Sequence, residues 1–89
     1  MSFTVGQNVN CIFDNGAHEV SGTVIKVVEP FQGLSEDELL EYANIRNNNP
    51  NYKSVEGKHC SVPRLVLETL RGHSIVPVNP KRWTIKVMQ

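Results

Sequence analysis

Long apolar runs are missing from this chain of 89 residues. Its densest apolar stretch, from Val24 to Val28, is interrupted by Lys26. It is far shorter than the roughly 18 residues that a membrane-spanning helix needs. Residues 1–6 have neither the basic leader nor the apolar core of a secretory signal. The sequence therefore predicts a cytoplasmic, intracellular protein that has no membrane partner.

Cysteine is also scarce. The two cysteines, Cys11 and Cys60, are too few for the disulfide framework of small secreted domains, so we expect free thiols. With His18, His59 and His73 they are the candidate metal ligands, but paired Cys-x-x-Cys or His-x-x-x-His spacing is missing. The sequence therefore predicts no metal and no cofactor.

The motifs of common enzyme classes are missing as well. The chain has no glycine-rich phosphate loop, dinucleotide fingerprint or nucleophile elbow. A chain of this length buries only about three-fifths of its unfolded surface, which leaves little room for a large active-site cavity. His59 and Cys60 would point to opposite faces of a strand, and Cys11 lies in an apolar setting that raises a thiol pKa. We therefore predict one non-enzymatic domain over residues 1–89.

A β-hairpin is predicted near the start of the chain. The pair Asn15-Gly16 readily forms a type I′ turn and stands between two stretches rich in β-formers. With these two residues at the centre of the turn, the following pairs face each other: Phe13 and His18, Cys11 and Val20, Val9 and Gly22. One face of the hairpin is then mostly apolar and the other polar. Beyond Gly22 the crowded apolar positions predict a bulge or sharp bend, which can curl a short sheet into a barrel.

One helix is predicted between the strands. Ser35 and Glu38 have the spacing of a capping box, and Leu34 and Leu39 that of a hydrophobic staple, so the helix should run from about residue 36 to 46. It forms part of a helix-and-loop insertion at about 31–57.

Further strands are predicted on the C-terminal side of the insertion. A short strand is expected at 58–62, and residues 64–70 fit either a strand or a helical turn. The two prolines in 73–80 favour an extended edge or linker over a central strand. Residues 83–87 alternate as a strand with Trp83, Ile85 and Val87 facing the core. The fold class is mainly β (α+β): a small SH3-like barrel or curled antiparallel sheet with one inserted α-helix.

The residues VGQNV at 5–9, followed after a turn by SGTVIKVV at 21–28, resemble the opening of SH3-like small barrels of the KOW and Tudor kind. The segment 58–63 is similar to a third barrel strand in that family. The resemblance covers about half of the chain and implies binding to nucleic acid, peptides or modified side chains. The insertion departs from the family pattern. No aromatic cage is carried over, because the expected cluster of aromatic residues is absent from the sequence.

Charge is divided unevenly along the chain. Residues 1–44 hold seven acids and one base, a net charge of −6, whereas residues 45–89 hold eight bases and two acids, a net charge of +6. Such asymmetry indicates contact with nucleic acid, because clustered cations displace counterions from phosphates. The predicted contact residues, including two from the loop of the insertion, are Arg71, Lys81, Arg82, Lys86, Tyr52 and Lys53.

Other interpretations of the same charges stay open. The acids and bases can neutralise each other across strands as an ordinary solvated surface. Alternatively, the protein is an adaptor or inhibitor that binds an intracellular protein through the acidic helix and adjacent loop. Acids in a first helical turn also have a purely local role at the helix dipole. The helix residues concerned are Glu36, Asp37, Glu38 and Glu41. The sequence leaves the oligomeric state and the choice between DNA, RNA and protein open.

Overall fold

A computed structural model describes residues 3–42, 45 and 57–88. The elements, in chain order, are β1 (Asn8–Phe13), a 3₁₀ turn (Asp14–Gly16), β2 (His18–Val28), α1 (Glu36–Glu41), β3 (Arg64–Thr69), β4 (Gly72–Pro77) and β5 (Trp83–Val87). The five strands form one antiparallel sheet in the order β4-β3-β2-β1-β5. The predicted mainly β fold with one helix is confirmed, and the sheet is compatible with a small barrel-like fold.

The β1–β2 hairpin has the predicted register, although its turn differs. Phe13 pairs with His18 and Cys11 with Val20. The connection is a 3₁₀ turn with positive φ at Asp14 (51°) and Gly16 (98°), rather than the two-residue type I′ turn that we predicted. Aspartate tolerates the left-handed region better than most residues do, so the longer turn closes the same register.

The polar face of the hairpin is held by hydrogen bonds between side chains of the two strands. The Ser21 hydroxyl donates to Asn10 Oδ1 at 2.6 Å, and the Thr23 hydroxyl donates to Asn8 Oδ1 at 2.8 Å. Cross-strand pairs of this kind favour the observed register, because a slip by one residue would move every side chain to the other face.

The buried side chains form two hydrophobic clusters on opposite faces of the sheet. The inner cluster, enclosed by the strands, consists of Val9, Cys11, Val24, Leu65, Leu67 and Val76. The outer cluster consists of Val28, Ile45, Val66 and Ile75, and the half-buried Ile25, Leu34, Leu39 and Tyr42 pack against it. Strand β3 alternates between the clusters and is buried on both faces. The helix-bearing insertion therefore covers the outer face of β3 and β4.

Strand β2 serves both clusters because its side-chain phase changes midway. Its pairing with β3 shifts between Val24 and Lys26, so Ile25 is the extra residue of a bulge. Val24 belongs to the inner cluster and Val28 to the outer one. The bulge that the sequence predicted is thus confirmed, and it turns Val28 towards the insertion.

At Gly22, strand β2 lies close against the backbone of β3. A Cβ atom built at this position would lie 2.5 Å from the carbonyl oxygen of Glu68. Because any side chain would collide with backbone, only glycine allows this approach.

Helix α1 begins where the sequence predicted. The Glu38 amide donates to Ser35 Oγ at 3.1 Å, and the Ser35 amide donates to Glu38 Oε1 at 3.0 Å, so the capping box is complete. The helix ends at Glu41 instead of residue 46, because Tyr42 is extended and its ring packs 5.2 Å from that of His73. Tertiary packing therefore overrides the helical pattern.

The strand predicted at 58–62 is wrong. The Cys60 amide donates to the Gly57 carbonyl at 3.2 Å, which closes a turn, and β3 begins only at Arg64. The segment 64–70, which the sequence left open, is mostly strand β3.

The last two strands follow the prediction except at Val87. Strand β4 lies at the sheet edge with Pro77 as its last residue, and β5 has the predicted bounds. Trp83 and Ile85 pack against the inner cluster as predicted. The core position predicted for Val87 is wrong: Val87 is exposed, because it is the last residue of an edge strand. Within the described ranges, no helix is long and apolar enough to cross a membrane.

Replacement of Gly22 by alanine should destabilise the fold. We expect Gly22→Ala to lower the free energy of unfolding by about 1–3 kcal/mol, because the added methyl group collides with the backbone of β3. Urea denaturation measures the change. The control is Ser21→Ala, which removes an exposed hydrogen bond one residue away and should change stability by less than about 1 kcal/mol. Equal stability of the two variants would contradict the close approach.

Candidate binding surfaces

The turn between β4 and β5 presents two exposed cations. The Asn79 carbonyl accepts from the amides of Arg82 (3.0 Å) and Trp83 (2.8 Å), and Asn79 Oδ1 accepts from the Lys81 amide at 3.2 Å. The Arg82 carbonyl accepts from the Asp14 amide at 2.9 Å, which joins this turn to the β1–β2 turn. The backbone of the turn is therefore well held, while the side chains of Lys81 and Arg82 are exposed.

Lys86 continues this surface along β5. It pairs with Asn10 of β1, is exposed, and lies on the strand face opposite Trp83 and Ile85. It lies four positions along the chain from Arg82, a distance of about 13 Å in extended backbone. We define the basic edge as Lys81, Arg82 and Lys86.

The other predicted nucleic-acid contacts lie elsewhere. Arg71 is in the β3–β4 turn, where its amide donates to Thr69 Oγ1 at 3.1 Å. The whole of β4, about 20 Å long, separates it from Lys81 and Arg82. Tyr52 and Lys53 lie outside the described residues and stay predictions. The structure therefore groups three of the six predicted residues.

An aromatic pair lies at the start of β5, on the strand face opposite Lys86. The rings of Phe13 and Trp83, which pair across β1 and β5, are 5.0 Å apart and tilted by 50°. Both residues are half-buried, so part of each remains accessible. Sequence analysis placed Trp83 but not its pairing with Phe13, because β1 and β5 lie at opposite ends of the chain and no local pattern gives their register.

The acidic helix has one structural acid and three exposed ones. Glu38 forms an ion pair with Lys26. The hydrogen bond between them lowers the pKa of Glu38, with help from the Ser35 amide, and raises the pKa of Lys26. The other acids, Glu36, Asp37 and Glu41, are exposed. The same helix exposes 83% of Leu40 to solvent.

Arg64 is a base of the C-terminal half that contributes nothing to the surface, since it is fully buried. Its Nη2 donates to the carbonyls of Glu29 and Gln32, both at 2.6 Å. Its Nη1 donates to Gly57 O at 2.9 Å, and its Nε to Val62 O at 3.1 Å. Burial lowers the pKa of Arg64. The charge count along the sequence therefore overstates the basic surface.

The Glu29 and Gln32 carbonyls belong to a strained turn. The Gln32 amide donates to the Glu29 carbonyl at 3.1 Å, and Phe31 has a φ of 63°. Because Pro30 keeps its own φ negative, a positive φ at the next residue identifies a type II turn. Glycine is the usual residue there, and the left-handed region costs other residues about 1–2 kcal/mol.

The candidate metal ligands are dispersed in the described ranges, and the candidate nucleophile Cys11 is buried. In the ranges that the structure describes, no three His, Cys, Asp or Glu side chains are grouped as metal ligands. Burial raises the pKa of the Cys11 thiol to about 12, so it is protonated at neutral pH. A shallow groove of about 390 Å³ beside Gly22 has one ionisable side chain in its lining, that of Glu68.

No family model, no curated protein and no solved structure matches this chain. The function therefore has to be inferred from the surfaces themselves.

The ion pair between Lys26 and Glu38 should make stability depend on pH. Because the folded pKa of Glu38 lies below its ordinary value of 4.5, the pair stabilises the protein above that pH. The contribution is lost as the pH falls through the folded pKa. Glu38→Gln keeps an acceptor for the Ser35 amide but removes the titrating carboxylate, so it should not show this loss of stability. We expect the loss in the wild type to be below about 1 kcal/mol, because the ion pair is partly exposed.

Urea denaturation of wild type and Glu38→Gln between about pH 7 and pH 3 measures the difference. Glu41→Gln is the matched control, since it removes one charge from the same helix and keeps the hydrogen bond between Lys26 and Glu38; Glu41 acts on Lys26 through its charge alone. If the stability of both variants falls with decreasing pH as steeply as that of the wild type, the ion pair makes no contribution.

Arg64→Lys should destabilise the protein although the charge is kept. Lysine has three donors on one nitrogen and cannot reach carbonyls on several sides, so buried acceptors lose their partners. We expect the free energy of unfolding to fall by about 3 kcal/mol. Arg82→Lys, an exposed replacement of the same kind, should change it by less than about 0.5 kcal/mol. Similar losses in both variants would rule out a special role for the Arg64 guanidinium.

Proposed function

We propose that the chain is an SH3-like small barrel that acts as a non-enzymatic binding module and contacts nucleic acid through its basic edge. The barrel assignment is supported by the strand order, by the bulged β2 that serves two clusters, and by the short turn before β5. The helix and the connection from β2 to β3 are an addition to that barrel. Fold alone does not identify a ligand, so the function rests on the surface.

One observation carries the proposal: three exposed cations follow one another along a single edge of the sheet. Among the described residues, none of the three forms an ion pair. Phe13 and Trp83 lie at the start of β5, on the strand face opposite Lys86, and their accessible edges offer an aromatic surface for an unstacked base. A row of cations that begins at an aromatic pair favours single-stranded nucleic acid. Asp14 and Glu19 lie nearby, so we expect few phosphate contacts and a moderate affinity.

A protein interaction on the side of the acidic helix is the second candidate function. It is favoured by Leu40, an exposed apolar side chain that lies among exposed acids. Isolated exposed leucines are common on protein surfaces, but one bordered by charges of a single sign suits a partner with an apolar pocket and basic rim.

Binding of labelled single-stranded DNA and RNA should weaken steeply as the salt concentration rises. Replacing Arg82 and Lys86 together by alanine removes two phosphate contacts. We expect lower affinity and a slope of log K against log salt that is smaller by about 1.4, at about 0.7 per contact. Fluorescence anisotropy over a salt series measures both quantities.

Lys58→Ala is the matched control, because Lys58 is an exposed cation in the β2–β3 connection, outside the basic edge. It should leave the slope unchanged. No binding of either oligonucleotide at low salt would exclude the nucleic-acid function, and an equal effect of Lys58→Ala would exclude the basic edge as its site.

A further inference from the structure

Phe31 is an aromatic residue that is not held in place by burial. It lies in the left-handed backbone region, yet 66% of the residue is exposed and it belongs to neither hydrophobic cluster of the described residues. A glycine would satisfy the type II turn without strain. The phenylalanine therefore adds an exposed ring at a conformational cost.

The surrounding structure holds this strained turn from two sides. Arg64 Nη2 binds both end carbonyls of the turn, those of Glu29 and Gln32, and the Phe31 amide donates to the Cys60 carbonyl at 2.8 Å. Backbone strain that is held in this way is concentrated at functional sites. The ring is thus presented to solvent on a rigid support, which lowers the entropy cost of binding through it.

The charges of the segment that carries Phe31 indicate the kind of partner. In the described parts of the β2–β3 connection, residues 29–42, 45 and 57–63, the exposed acids outnumber the exposed lysines and arginines by four to one. These acids are Glu29, Glu36, Asp37 and Glu41, and the single base is Lys58. Leu40 is the second exposed apolar side chain of the same segment. A phosphate backbone would be repelled here, whereas a basic protein surface would be attracted.

We propose that Phe31 is the anchor of a docking surface for a basic segment of another protein, in which an apolar residue is bordered by lysine and arginine. Leu40 supplies a second apolar contact, and the exposed acids meet the basic side chains of that segment. Aromatic anchors in desolvated pockets carry much of the binding energy in protein interfaces. The inference rests on the second candidate function and is independent of nucleic-acid binding at the basic edge.

The test uses the full chain and a phage-displayed library of random peptides. Enriched peptides are synthesised, and their affinities for wild type, Phe31→Gly and Leu40→Ala are measured by fluorescence anisotropy. We expect enriched peptides with lysine or arginine around an apolar residue, and at least tenfold weaker binding to Phe31→Gly. Because glycine suits the turn, the Tm of Phe31→Gly should be unchanged or raised. Loss of binding then cannot come from unfolding.

Leu70→Ala is the matched control, since Leu70 is a fully exposed apolar residue at the β3–β4 turn, away from the insertion. It should bind the peptides like the wild type. Enriched peptides that bind Phe31→Gly normally would overturn the anchor while leaving the second candidate function in place. No enrichment at all would overturn both. If Phe31→Gly instead weakens a labelled oligonucleotide tenfold, the ring is a base-stacking residue and the protein-docking surface is wrong.

Discussion

The buried guanidinium of Arg64 is the interaction on which the connection between β2 and β3 depends. A charge taken out of water is costly unless hydrogen bonds replace its hydration, and unpaired backbone carbonyls carry a similar penalty. Here the carbonyls replace the hydration of the guanidinium, and the guanidinium supplies the hydrogen-bond donors that the carbonyls need. Four carbonyls, from Glu29, Gln32, Gly57 and Val62, surround a group with five donors in a planar fork. Arg64 thereby joins the start of the β2–β3 connection, at Glu29 and Gln32, to its later part, at Gly57 and Val62.

The joined insertion is needed because β3 has two apolar faces. Its inner residues belong to the strand-enclosed cluster, and Val66 on the other face would be exposed without a cover. A helix of six residues is too short to be stable by itself. Its capping box, the ion pair to Lys26 and the packing of Leu39 therefore act together to hold it on the sheet. The bulge at Ile25 makes this possible by turning the end of β2 outwards.

Features of the fold that depend on neighbouring residues could be predicted from the sequence, and features that depend on distant contacts could not. The hairpin register, the helix start and the bounds of β5 follow from alternation and capping within a few residues, and all three were predicted. The helix end was missed because the packing of Tyr42 against His73 decides it. The role of Arg64 was missed for the same reason: it binds a carbonyl 35 positions away. No local pattern distinguishes a buried arginine from a surface one, so a charge count includes both.

The edges of the sheet limit how any partner can bind. Unpaired edge strands invite another chain to add to the sheet, and proline and lysine are two devices that discourage this. Strand β4 ends in Pro77 and β5 exposes Lys86, so both edges carry such a device. Lys86 thus has a protective role even if no nucleic acid binds. Because strand addition is discouraged, a partner has to bind through side chains. The basic edge presents cations, whereas the turn that carries Phe31 belongs to an acidic segment.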